Sequence, residues 1–194
     1  MKLSSQEEIL TLWMHFLEGN ENAFSELYCL LFDELVSYGC RVGGTRKMAE
    51  DLLQDLFLEL YQKKIVLRDN GKLRPFMYRA LRNSIYNQLA RESRLQSFDE
   101  HEIPFDLSYT INEELLPKAA PELSQELKQL LNGLTSRQKE VIYLRFVREM
   151  SFEEIAEVMD IHVQSTRNLL TRSLNKIRNE SDLAYFLLIL LFLR

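Results

Sequence analysis

The chain has little of what most enzymes are built around. Its three histidines, His15, His101 and His162, are scattered, and its six glycines form no phosphate loop. No Cys or His spacing matches a metal site, and no nucleophile has an evident base. Catalysis, a cofactor, a metal and a small-molecule substrate are therefore not expected. Cysteine is nearly absent too: Cys29 and Cys40 lie inside apolar helical patterns, which predicts two buried thiols in a reducing compartment rather than a disulfide. The start, Met1-Lys-Leu-Ser-Ser-Gln-Glu-Glu, does not read as a signal peptide, and cytoplasm is the expected location. The most apolar run, Leu183 to Leu193, is well short of the roughly 20 residues that a membrane helix needs.

What is present is helical patterning throughout. With 194 residues, 46% hydrophobic, the chain has material for one large or two small domains, and no sheet is expected. The most telling stretch runs from Leu134 to Arg178. Thr135 with Gln138, and Ser151 with Glu154, have the spacing of capping boxes, each opening a short helix. Val141, Ile142, Leu144 and Phe146 form the apolar stripe of the first, and Ile155, Ala156, Val158 and Met159 that of the second. The chain turns at Asp160-Ile161 and restarts near Gln164, with Thr166, Leu169, Leu170, Leu174 and Ile177 pointing inward. This third helix carries Arg167, Arg172, Lys176 and Arg178 and no acid, the pattern of a helix-turn-helix placed against DNA. Residues near the start of such a helix read base edges while flanking cations hold phosphates. Gln164, Ser165, Arg167, Asn168, Thr171 and Arg172 fit those roles, with Lys176 as a further phosphate contact. The competing reading is a three-helix bundle with a solvated basic face. Asp160 stands where such turns usually have Gly, and Thr166 where a larger aliphatic is usual.

The formal charge of −5 is unevenly spread. Residues 96–122 hold seven acids and one lysine, a net of −6, together with Pro104, Pro117 and Pro121, and read as an extended acidic connector. Between Lys63 and Arg94 nine cations face two acids, a net of +7 that calls for a polyanion. There Met77, Leu81, Ile85 and Leu89 repeat on one side of a helix. That leaves Arg74, Arg79, Arg82, Asn83 and Tyr86 as cations, an amide and an aromatic suited to unpaired bases, against the plainer reading of a core tyrosine and solvated arginines. Ahead of this patch the body is read as starting with a helix near Asn22, striped by Phe24, Leu27, Tyr28, Leu31, Phe32 and Leu35. A second helix buries Leu52, Leu53, Leu56, Phe57 and Leu60. Its other face, Asp51, Gln54, Asp55, Leu58 and Glu59, suits either a protein partner or solvent.

Three of these stretches, Leu52-Leu-Gln-Asp-Leu-Phe-Leu-Glu-Leu-Tyr, Arg74-Pro-Phe-Met-Tyr-Arg-Ala-Leu-Arg-Asn, and Leu134 to Arg178, together resemble bacterial sigma factors of the extracytoplasmic-function group. The resemblance covers most of the chain. It implies an all-α initiation factor that binds core RNA polymerase and promoter DNA. Residues 1–95 would be a region 2 type domain for core binding and minus-ten recognition and melting. Residues 96–122 would be the acidic linker, 123–180 a helix-turn-helix of winged-helix-like or sigma region 4 type for the minus-thirty-five element, and 181–194 an apolar tail. Asp51, Gln54, Asp55 and Leu58 would then meet the clamp of the largest polymerase subunit, the second domain the flap, Asn83 the minus-ten element, and Arg167 and Arg172 the upstream element. An anti-sigma factor is a partner that the group often has. Asp55 for the usual Glu, Tyr61 for a Trp, and Leu169 and Ser173 for Arg and Ala depart from the pattern and bear on promoter sequence. The stronger competitor to this reading is a stand-alone regulator that binds duplex DNA without polymerase. The tail is expected to pack as a final helix on the DNA-reading domain or the first domain, the competing reading being a docking segment for an inhibitor or the polymerase.

Overall fold

In the computed structural model the described residues are 6–63, 70–92, 104–107 and 131–180. The rest of the acidic connector, the apolar tail, Lys64, Arg68 and Arg94 lie outside them. The chain divides into two compact units: Met1–Glu100 with Glu157–Asp160, and His101–Ala156 with Ile161–Arg194. Among the described residues the regular elements are all helical.

Among its described residues the first unit holds four α-helices and a 3-10 turn, Asn70–Lys72. Helix α1 (Gln6–Leu17) buries Ile9, Trp13 and Phe16 at i, i+4 and i+7. It precedes the helix near Asn22 with which the sequence pattern has the body begin. A 12-residue helix is marginal alone, and this one is held by packing. The Trp13 and Phe16 rings lie 5.4 Å apart, Phe16 and Phe24 4.6 Å, and Phe24 and Phe57 5.9 Å, so one aromatic chain fastens α1 to the next two helices. Gly19, at φ 105°, lets the chain leave α1. Asn20 then caps α2 (Glu21–Arg41), accepting from the Asn22 and Ala23 amides at 3.1 and 3.3 Å.

Helix α2 buries Leu27, Leu31, Leu35 and Tyr38, and α3 (Arg46–Lys63) buries Ala49, Leu53, Phe57 and Leu60. A Cβ at Gly39 would lie 2.8 Å from Ala49 Cβ and 3.1 Å from Ile85 Cδ1. Glycine there lets α2 pass close to both α3 and α4 (Leu73–Glu92). Pro75 sits in the first turn of α4, where a missing amide proton does no harm. The thiols correct the sequence reading: both are free, but Cys29 is exposed and Cys40 only partly buried, because neither falls on the stripe that α2 turns inward.

The second unit carries α5 (Ser136–Ile142), α7 (Val163–Glu180) and, as far as Ala156, α6 (Phe152–Met159). Both capping boxes form. Gln138 N–H donates to Thr135 Oγ1 at 3.3 Å and Thr135 N–H to Gln138 Oε1 at 3.0 Å. Glu154 N–H donates to Ser151 Oγ at 3.1 Å and Ser151 N–H to Glu154 Oε2 at 2.8 Å. After α5 the chain widens into a π turn, Tyr143–Val147, and Glu149 at φ 55° ends it.

Candidate nucleic-acid interface

The turn between α6 and α7 decides how α7 is presented. Asp160 takes φ 53°, the left-handed conformation that its short polar side chain tolerates. Ile161 N–H closes on the Ala156 carbonyl at 3.0 Å, ending α6 in the manner of a Schellman cap, and α7 begins two residues later. Helix α7 buries Thr166, Leu170, Ser173 and Ile177, a stripe at i, i+4, i+7 and i+11. Thr166 and Ser173 are fully enclosed without harm, since their hydroxyls donate to the carbonyls of His162 and Leu169 at 3.3 and 2.7 Å.

The opposite face is the one the sequence singles out. Gln164, Ser165, Arg167, Asn168, Thr171, Arg172 and Lys176 are all exposed on α7. Gln164 Nε2 donates to Asn168 Oδ1 at 3.1 Å, so two amides stand side by side over the first turns. The Arg167 guanidinium lies 5.3 Å from the Phe152 ring centre and 3.4 Å from Glu153 Oε1. Both partners of that ion pair are about half exposed, so it holds Arg167 weakly and leaves it able to meet a phosphate or base. Lys176 Nζ donates to the Gly133 carbonyl at 2.6 Å, which ties it to the segment before α5. An exposed face of cations and amides from Gln164 to Lys176 is suited to DNA, with amides able to pair bidentately with adenine and arginine with guanine.

On α4 the structure separates the predicted set. Asn83 is exposed and Arg79 partly so. Arg74, Arg82 and Tyr86 are not on that surface: they are 5%, 3% and 7% exposed, which corrects their reading as base contacts in this conformation. Arg74 is buried because it pairs with Glu34 of α2, Nε to Oε1 at 3.0 Å and Nη2 to Oε2 at 3.3 Å, a bidentate bond that joins α2 to α4. The Arg82 guanidinium sits over the Tyr86 ring at 4.3 Å. Helical spacing alone counts Arg74 as surface, and its partner Glu34, 40 positions upstream, shows otherwise. Asn87, outside the set read from the sequence, is exposed one turn beyond Asn83, and the repeated amide at i, i+4 is the signal that marks it.

On α3, Asp51, Gln54, Asp55 and Leu58 are exposed along one side, with Leu58 54% exposed. Tyr61, one turn on, donates its hydroxyl to Glu21 Oε1 at 3.1 Å, and that carboxylate raises the phenol's pKa. An acidic helix face centred on a bare leucine has the composition of a protein contact. Among the described residues no group of three or more His, Cys, Asp or Glu is placed to hold a metal ion, and no helix is long and apolar enough to cross a membrane.

Comparison with known proteins matches residues 30–95 to Sigma-70 region 2 and residues 124–177 to Sigma-70, region 4, which together take in more than half of the chain. The chain is 23% identical over 171 residues to the ECF RNA polymerase sigma factor SigW of Bacillus subtilis, covering 84% of this chain and 91% of that protein. It is 27% identical over 163 residues to the ECF RNA polymerase sigma-E factor of Haemophilus influenzae, covering 77% and 86%. Among solved structures its fold is similar to the sigma factor RpoE of Bartonella quintana, solved in complex with the anti-sigma factor NepR. The TM-score is 0.54 at 21% identity, over 80% of this chain and 94% of that one, a likeness of fold alone.

Proposed function

The chain belongs to the sigma-70 family, in its extracytoplasmic-function group, and directs promoter-specific initiation by RNA polymerase; from that premise we propose how its surfaces divide the work. Residues 1–95 act as the unit that binds core polymerase and reads the minus-ten element, residues 123–180 as the unit that reads the minus-thirty-five element, and 96–122 as the linker between them. The exposed side of α3, Asp51, Gln54, Asp55 and Leu58, meets the clamp of the largest polymerase subunit. Asn83, with Arg79 beside it, meets the minus-ten strand. Gln164, Ser165, Arg167, Asn168, Thr171 and Arg172 meet the upstream duplex, with Lys176 on a phosphate. The observation that carries this division is the exposed face of cations and amides from Gln164 to Lys176 on α7, in a unit separate from α3 and α4.

The protein has no catalytic role of its own in this account, needs no cofactor and works in the cytoplasm. Bond formation belongs to the polymerase. The solved relative was captured with an anti-sigma factor, and the same kind of partner is proposed here. A gel shift with labelled promoter DNA tests the reading against that of a stand-alone regulator. The chain alone should bind poorly, core polymerase alone without sequence preference, and the two together tightly and specifically. Tight specific binding by the chain alone would overturn it.

A further inference from the structure

Pro104–Leu107 is the part of the acidic linker that falls among the described residues, and it is fastened to the second unit. Phe105 and Leu107 are 3% and 5% exposed, while Pro104 and Asp106 between and beside them face outward. Phe105 N–H donates to Ser136 Oγ at 3.3 Å, and its ring lies 5.6 Å from the ring of Tyr143, itself fully buried at the end of α5. We propose that Phe105 and Leu107 are a releasable anchor: they hold the linker on the upstream-reading unit in the free chain and detach when holoenzyme spans both promoter elements. This rests on the two-element reading proposed above.

The reach of the chain requires the release. Between Glu92, the last residue of α4, and Pro104 lie residues 93–103, which fully extended reach about 40 Å. Elements centred ten and thirty-five base pairs upstream are about 25 base pairs apart, or about 85 Å at about 3.4 Å per pair. A unit of about 100 residues has a radius of gyration near 13 Å, hence a radius of about 17 Å, so roughly 50 Å remains to be bridged even when the chain leaves each unit on its near side. The anchored linker falls short. Counted from Glu92 to Glu122, where the linker ends, a linker without the anchor reaches about 100 Å. Phe105 and Leu107 are then positioning residues: their docking lowers the fraction of chain competent to span, and apparent affinity falls by that fraction.

The test places nitroxide labels at Asp106→Cys and Asn175→Cys, both exposed positions, in a chain also carrying Cys29→Ser and Cys40→Ser, before assembly with core polymerase. Pulsed electron resonance should give a single distance in the free chain. In holoenzyme on promoter DNA with both elements that distance should change by about 10 Å or more, the shortfall just derived. An unchanged distance on that DNA overturns the anchor. In an unlabelled chain, Phe105→Ala with Leu107→Ala should raise the apparent affinity of holoenzyme for two-element DNA about tenfold. A loss would mark the segment as a fixed part of the unit and overturn its release. If no complex forms with any promoter DNA, the two-element reading itself fails, and the need for release with it.

Discussion

Asn83 and Arg82 are neighbours in sequence and opposites in structure: the amide faces solvent, and the guanidinium is enclosed over Tyr86. Asn83→Ala should therefore reduce open-complex formation about tenfold, from the loss of roughly 1–3 kcal/mol of base contact, without weakening core binding. Permanganate footprinting of the melted region beside a core-binding titration checks both. Normal melting would remove Asn83 from the interface. The two thiols make a second residue-level case. Burial raises the pKa of Cys40, and nearby Arg46 and Arg41 only partly oppose that, whereas Cys29 is exposed. A thiolate reagent at neutral pH should label Cys29 well before Cys40, with Cys40 gaining rate only as the pH rises past the ordinary thiol range. Peptide mapping after a timed pulse reads the order. The apolar neighbours of Cys29 assign it to the core, but one position of rotation on α2 puts it outside.

At the level of elements, buried polar contacts decide more than charge counts. The Glu34 and Arg74 side chains are 3% and 6% exposed, so removing either takes a bidentate bond from the charge that stays behind in a dry site. Arg74→Ala or Glu34→Ala should lower the stability of the first unit by about 3–5 kcal/mol, measured by urea unfolding. A change below about 1 kcal/mol would mean the pair is not held as seen. Leu58→Arg should behave in the opposite way. At 54% exposure it should leave stability nearly unchanged and weaken core binding at least about tenfold, read by co-elution with core polymerase. Core binding that survives the change would take α3 off the polymerase face. Local signals made the capping boxes, the Asp160 turn and the inward stripes of α2, α3 and α7 legible, because each is set by residues within one or two turns. Helix α1 shows the limit. Its Ile9, Trp13 and Phe16 spacing was present in the sequence, but so short a helix is secured by the Phe16, Phe24 and Phe57 rings of three separate helices. The partner of Arg74 and the seat of Phe105 were likewise settled only by tertiary contacts 40 and 31 positions away.

Across the whole molecule, the negative total charge conceals a division that matters more. Acid is concentrated in residues 96–122, and the cations of the Lys63–Arg94 stretch and of α7 lie on either side of it. A protein that is acidic overall has weak attraction for duplex DNA by itself, and its basic faces act where polymerase has already brought them to the promoter. The all-helical architecture and the two families matched in order along one chain fit a factor that lends specificity to another enzyme's chemistry. The most direct test is run-off transcription from a pool of genomic promoter fragments with core RNA polymerase, with and without the purified chain. The account predicts new transcripts only when the chain is added, sharing an upstream pattern and lost in Arg167→Ala/Arg172→Ala. No new initiation with active core polymerase, or initiation without a shared pattern, would contradict it.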